Sequence, residues 1–261
     1  MSTVGLLAIE AGLVLVLVTT LWAVSLALRD TSIVDVFWGS GFVVVAWTAY
    51  ALADGSRDRG LLLALLVTAW GLRLTAHLAR RNLGKGEDRR YTEMRRRHGD
   101  TWPLRSLFVV FWLQGALIWV VSLPVQVAMT DLTPVGLVLL DWIGVAIWAV
   151  GLTFEAVGDW QLSRFKADPA NRGKVMDRGL WRYTRHPNYF GDFCVWWGIW
   201  LVALAAGSTW WTVVGPAVMS ILLIRVSGVA LLERSLSRRR AGYADYVART
   251  SAFFPRPPRR G

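Results

Sequence analysis

The sequence predicts an all-α membrane protein with seven transmembrane helices, its N-terminus outside and its C-terminus in the cytoplasm. Two observations carry that expectation. Of 261 residues, 54% are hydrophobic and sixteen are tryptophan. They gather into apolar runs of about 20 residues, each long enough to cross a hydrocarbon layer of roughly 30 Å. The chain is also strongly basic, with a formal net charge of +11. A soluble nucleic-acid binder would not carry such runs, so the charge belongs to the loops of a membrane protein.

The runs fall at 4–28, 33–53, 60–79, 106–129, 135–165, 188–206 and 210–232. The first carries Glu10, lacks a basic leading segment and is too long for a signal-peptide core, so it is expected to stay as a helix. The second opens with Asp35 in SIVDVFWG. In the third, WGLRLTAHLARRN sets Arg73 and His77 four residues apart and therefore on one face. The fourth holds no ionisable group. The fifth carries a stripe of Trp148, Leu152, Glu155, Asp159, Leu162 and Lys166, ending among basic residues. The sixth begins at Pro187, which suits a helix's first turn because its missing N–H has no bond to make there. Asn188 and Asp192 then share a face, and the seventh run contains Arg225. With no internal repeat and no Gly/Ser or Pro linker, 1–261 reads as one membrane domain. The single Cys194 excludes an internal disulfide and a cysteine-based zinc site, and reads as a small buried apolar residue.

Loop charge sets the orientation. One side holds Arg29, nine Lys/Arg in 80–105, seven in 164–187 and eight from Arg234 onward. The other side has Arg57 and Arg59. That asymmetry assigns the long loops and the tail to the cytoplasm.

Ionisable groups at membrane depth are costly and mark functional sites by default. Taken singly, Asp35, Arg73, His77, Glu155, Asp159, Asn188, Asp192 or Arg225 is as well explained as an interhelical tie. Taken together, most fall in the cytoplasmic half, beside the loops with the positive charge. A polar cavity open to the cytoplasm explains that distribution better.

The loop RFKADPANRGKVMDRGLWRYTRHP, residues 164–187, joins two of the polar stripes. Its seven cations are accounted for by topology alone, but their setting is not. The sixth helix points its positive end at this loop, an arrangement that suits an anion. A cofactor with phosphates would lie across Lys166, Arg172, Lys174 and Arg185, its uncharged end reaching Asn188. Neither a Rossmann nor a P-loop signature is present. The three histidines, 77, 98 and 186, are too dispersed in sequence to declare a metal centre. His98, in RRRHGD, reads as solvated, and the run RRYTEMRRRHGD as a lipid-facing anchor.

The stretch FEAVGDWQLSRFKADPANRGKVMDRGLWRYTRHPNYFGD resembles the C-terminal half of the steroid 5-alpha-reductase family, most closely its bacterial branch. Sterol reductases share the pattern found here as Arg185, His186, Asn188, Tyr189, Gly191 and Asp192. The tail YADYVARTSAFFP is also similar, and DVFWG, WGLR and FWLQG extend the likeness more loosely into the first half. The resemblance implies a seven-helix NADPH-dependent reductase in the bacterial inner membrane, with residues 1–130 on the substrate side and 131–261 holding the cofactor from the cytoplasm. Asp159, Lys166, Lys174, Asn188 and Asp192 match its cofactor positions, and Tyr189 an aromatic position beside the nicotinamide and substrate. Glu155, Arg172, Tyr183, Arg185 and His186 complete the candidate cofactor set, Glu155 standing where the family has asparagine. Steroid-reducing members hold the substrate carbonyl with a glutamate on the second helix and a tyrosine on the third. Here the nearest candidates are Asp35 and His77, and the sequence leaves open whether they meet.

Reducing an activated C=C bond needs a hydride donor and a hydrogen bond to the carbonyl that takes up charge. A lipophilic substrate, steroid-like or another enone, suits a site in the bilayer. The alternative is a membrane methyltransferase of the isoprenylcysteine or phospholipid type, which shares an Arg-His-Pro pattern and uses S-adenosylmethionine. Against it stand Asn188 followed by Asp192, the basic loop, and Glu233 alone where those enzymes carry a carboxylate pair.

Overall fold

The computed structural model describes residues 1–134, 136–207, 209–226 and 242–259. Over these residues the chain is helical, without a β-strand; one isolated parallel bridge joins Thr184 to Ser251. Five helices are long and apolar enough to span a membrane: Thr3–Leu28, Ile33–Leu52, Arg57–Asn82, Arg89–Val121 and Leu139–Ala167. This is an integral membrane protein.

These five correspond to the first five expected runs. The sixth run forms Pro187–Leu204, a helix of 18 residues whose Asn, Asp and Trp content lowers its hydropathy. Of the seventh, the described part is a shorter apolar helix, Trp210–Arg225. Residues 227–241, including Glu233 and the basic run from Arg234, lie outside the described residues.

The chain divides into two compact units, Met1–Asp141 with Val202–Gly215, and Trp142–Leu201 with Pro216–Gly261. The first is built on α1 (Thr3–Leu28), α2 (Ile33–Leu52) and α3 (Arg57–Asn82). Then come the short basic α4 (Arg89–His98), α5 (Trp102–Ser106), α6 (Leu113–Val121) and α7 (Leu123–Ala128). Wide π-type turns over Leu107–Trp112 link α5 to α6. The fourth expected run is therefore one path with two irregularities, the second a break at Ser122, ahead of Pro124 at the start of α7. Proline cannot continue the hydrogen-bond ladder, so the helix restarts there.

Helices in lipid are joined by close packing of small residues rather than by exclusion of water. Gly39 on α2 and Gly71 on α3 do this: a Cβ built on Gly39 would lie 2.2 Å from the Gly71 carbonyl oxygen. Ser40 and Thr75 hydrogen bond across the same seam at 3.0 Å. At the opposite end of α3, Arg59 is no solvated loop charge. It is fully buried, with Nε and Nη2 donating to the two Asp141 oxygens at 2.9 and 3.0 Å.

The second unit holds most of α8 (Leu139–Ala167), the first part of α9 (Pro187–Leu204), much of α10 (Val214–Ile221), and α11 (Tyr243–Arg249). With 29 residues, α8 is about 43 Å long at 1.5 Å per residue. Its Ala167 end therefore has length to stand clear of a hydrocarbon layer of about 30 Å.

Candidate functional site

Glycines at intervals of seven bring α8 and α9 together. Gly144, Gly151 and Gly158 lie on α8, and Gly191 and Gly198 on α9. A Cβ on Gly151 would sit 2.6 Å from the Gly191 oxygen, and one on Gly198 2.6 Å from the Trp148 nitrogen. Backbone thus meets backbone along the seam, and the polar stripes of the two helices face each other near its upper end. Glu155 and Asp159 are buried, while Asn188, Tyr189 and Asp192 are half-buried. The Asn188 Nδ2 donates to Asp159 Oδ1 at 3.1 Å. His186, buried, stacks its ring on Tyr189 with centroids 5.5 Å apart and planes 6° from parallel.

The helix does start at Pro187. Ahead of it the chain is pinned to α8: Gln161 Oε1 accepts from the Leu180 amide at 3.0 Å, and Trp181 Nε1 donates to the Gly158 oxygen at 3.1 Å. Gly179, at φ +58, supplies the left-handed turn that starts this docking.

Beyond the end of α8, Asp168 caps the turn Pro169–Asn171, and Asn171 Nδ2 donates to the Phe165 oxygen at 3.1 Å. Curled this way, the loop forms a recess of about 320 Å³ lined by Lys166, Asp168, Asn171, Arg172 and Gly173, among others. Lys166 and Arg172 thus share one pocket. Lys174 is exposed next to it in sequence and does not line it.

Two members of the expected cofactor set are engaged with the tail. Arg185 is only 8% exposed, and its Nη1 donates to the Val247 and Thr250 oxygens at 3.1 and 2.6 Å. Its charge closes the C-terminal end of α11, where carbonyls lack helical partners. Tyr183 is 43% exposed, and its backbone oxygen accepts from the Arg256 amide at 3.0 Å. Arg225, at the end of the described part of the seventh run, is exposed.

In the first unit, Asp35 sits in the first turn of α2 and is held by α4. Arg90 Nη2 donates to one oxygen at 2.6 Å, and the Tyr91 hydroxyl to the other at 2.8 Å. The contact with His77 that the sequence left open is not among the bonds of Asp35. His77 and Arg73 are both half-buried on α3. Tyr91, only 6% exposed, is the residue that sequence reading missed. It hides in an Arg-rich stretch that reads as a lipid-facing anchor.

Thr31 and Glu87 tie the same helix down. The Thr31 amide and Arg95 Nη2 both donate to Glu87 Oε1 at 2.8 Å, and Arg95 Nε to Oε2 at 3.0 Å. Burial alone would raise the Glu87 carboxyl, but the bonds from Arg95 and Thr31 outweigh it and hold its pKa below the ordinary carboxylate range. His98, expected to be solvated, is half-buried and stacks on Trp102 at 5.9 Å.

The sequence matches the family described as "Protein of unknown function (DUF1295)" over residues 21–250. It is 26% identical over 270 residues to an uncharacterized protein of Schizosaccharomyces pombe, covering 92% of this chain and 77% of that protein. A 53-residue stretch is 43% identical to a probable O-methyltransferase of Ustilaginoidea virens, covering 20% of this chain and 18% of that protein. No solved structure matches the chain significantly.

Proposed function

Because the chain belongs to the DUF1295 family, whose description assigns no activity, we propose one from its own residues. The protein is an NADPH-dependent membrane reductase of an activated C=C bond in a lipophilic substrate, steroid-like or another enone. In this reading it has seven spans, a cytoplasmic cofactor site, and a place in a bacterial inner membrane. The likeness of its C-terminal half to the steroid 5-alpha-reductase family agrees with that assignment.

One observation carries the proposal: the Asn188–Asp159 bond at 3.1 Å lies on α8 two turns from Lys166 and the recess it shares with Arg172. The donor set fits NADPH chemically. Lys166, Arg172 and the neighbouring Lys174 suit phosphates, including the 2′-phosphate that NADH lacks. The amide of Asn188, steered by Asp159, suits the neutral carboxamide and ribose end. Asp192, Glu155 and the stacked His186 and Tyr189 complete that end. The bound cofactor would supply the hydride. The chain's own part is to orient it, exclude water and polarise the substrate carbonyl. By the family likeness the polarising groups stand on the second and third helices, which here means Asp35 and His77; Tyr91 of α4 is bonded to Asp35.

A second reading has one observation behind it, the short match to a probable O-methyltransferase. It would make S-adenosylmethionine the ligand. Titrating NADPH, NADH and S-adenosylmethionine into the solubilised protein separates the two. The reductase reading expects saturable binding with NADPH tightest. Saturation by S-adenosylmethionine alone would overturn it.

A further inference from the structure

We propose that the C-terminal segment builds a second anion site, one that takes a phosphate group and is independent of the recess at Lys166 and Arg172. The segment is not a loose basic tail. The Arg185 amide donates to the Ser251 oxygen at 2.9 Å, and the Thr184 hydroxyl to the Phe253 oxygen at 2.7 Å. The Arg256 amide donates to the Tyr183 oxygen and the Arg259 amide to the Arg249 oxygen, both at 3.0 Å. Pro257 and Pro258 stiffen the stretch between those last two bonds, and Pro255 precedes it.

Folded back in this way, the segment encloses a recess of about 270 Å³ lined by Arg185, Arg249, Thr250, Ser251, Arg256 and Arg259, among others. Arg185 is its buried cation. Arg249, Arg256 and Arg259 are exposed around it. Asp177 lies 3.9 Å from Arg249, with both side chains about half-exposed. The positive-inside rule accounts for arginines at this end of the protein. It does not account for four of them lining one recess whose walls are fixed by backbone bonds. Guanidinium forks match the oxygens of a phosphate group, and a recess holds them where a flat surface would let them disperse.

No residue lines both this recess and the one at Lys166. Two sources could supply the phosphate. One is an anionic lipid headgroup: Phe253 and Phe254 pack on Phe190 and Phe193 of α9, and Phe254 is half-exposed, as suits an aromatic side chain at a membrane surface. The other is free phosphate or a phosphate ester from solution.

The test uses the full chain in nanodiscs of phosphatidylcholine, titrated with inorganic phosphate by calorimetry. Saturable binding is expected, weakening with added sodium chloride. It should fall at least about tenfold in the double variant Arg256→Ala/Arg259→Ala, since each arginine contributes charge-assisted bonds. Those two side chains are exposed and the tail is anchored through their backbone amides, so the variant should keep its fold; unchanged NADPH binding or near-UV circular dichroism checks that. A second arm repeats the titration in discs containing phosphatidylglycerol. Loss of phosphate binding there assigns the site to the lipid headgroup, and unchanged binding assigns it to soluble phosphate. Absence of saturable phosphate binding in phosphatidylcholine discs, or binding indifferent to the double variant, overturns the proposal whatever the outcome for NADPH.

Discussion

Asn188 and Asp159, 29 residues apart in sequence, are joined by a hydrogen bond of 3.1 Å. This bond orients the amide. An Asn side chain can present either its oxygen or its nitrogen, and Asp159 fixes the nitrogen toward α8, leaving the amide oxygen as an acceptor for a ligand. On the reductase reading, Asn188→Ala should weaken NADPH binding by about 1–3 kcal/mol, the usual loss for a bond in a water-poor site. Asp159→Ala should lose a similar amount, and the double variant less than the sum, because the two act through one bond. A lowered melting temperature with unchanged NADPH affinity would reduce the pair to interhelical packing.

The glycine seam gives an expectation independent of any ligand. A Cβ on Gly191 would lie 2.5 Å from both the Glu155 nitrogen and the Gly151 oxygen, backbone atoms that cannot rotate away. Gly191→Ala should therefore force α8 and α9 apart at a cost of about 1–3 kcal/mol or more, read as a fall in thermal midpoint. Gly12→Ala is the control. Nothing lies within 4 Å of its Cβ position, and alanine's better helix propensity should leave stability equal or up to about 1 kcal/mol higher. Equal losses in both would show that the seam is not the reason.

Much of this architecture was legible before any coordinates. Apolar runs marked the five long spanning helices, Pro187 marked the start of α9, and the polar stripes of α8 and α9 were on the faces that meet. The seven-residue glycine spacing was also present in the sequence, but glycine in a membrane helix has several uses and spacing alone does not name its partner. Part of what Arg185 does was hidden for a different reason. Its guanidinium binds carbonyls 62 and 65 residues away, and nothing local in the sequence announces that tie to the tail. Tyr91 and His98 were masked by the arginines around them, although the buried face of α4 is read from its aromatic residues and not from its charge.

The clamp on α4 should respond to acid. Glu87 has its folded-state pKa held below the ordinary carboxylate range, so the unfolded or undocked state binds its proton more readily. Its contribution to docking is therefore fully present above the ordinary range and lost as pH falls through the lowered folded value. A spin label at Arg96, on the exposed side of α4, should gain mobility as pH drops below about 4. Glu87→Gln, which loses the charge but keeps an acceptor, should be more mobile at neutral pH and flatten the acid response. A label whose mobility is the same in both proteins across the titration would show that Glu87 does not hold the helix.

On the reductase reading, the proposed substrate end has two candidate donors instead of one. His77 stands on α3 as the sequence suggested, while Tyr91 already donates its hydroxyl proton to Asp35 at 2.8 Å. The second arrangement is closer in kind to a carboxylate and a phenol shared around a carbonyl. It also explains the buried position of Tyr91, since a phenol seldom leaves solvent without a partner. If Tyr91 shifts its hydrogen bond from Asp35 to a substrate carbonyl, Tyr91→Phe should lower turnover of an enone by about 10²–10³-fold, the loss typical of one oxyanion donor. NADPH affinity should stay nearly intact. Asp35→Asn keeps an acceptor for the phenol and should cost less. His77→Ala decides between the donors: a comparable loss there, with Tyr91→Phe near wild type, would return the role to His77. The readout is NADPH oxidation across an enone panel, with hydrogen exchange over α4 to confirm that each variant keeps its fold. Wild-type turnover in both Tyr91→Phe and His77→Ala would remove this end of the protein from the chemistry and leave the α8–α9 cofactor reading to stand alone.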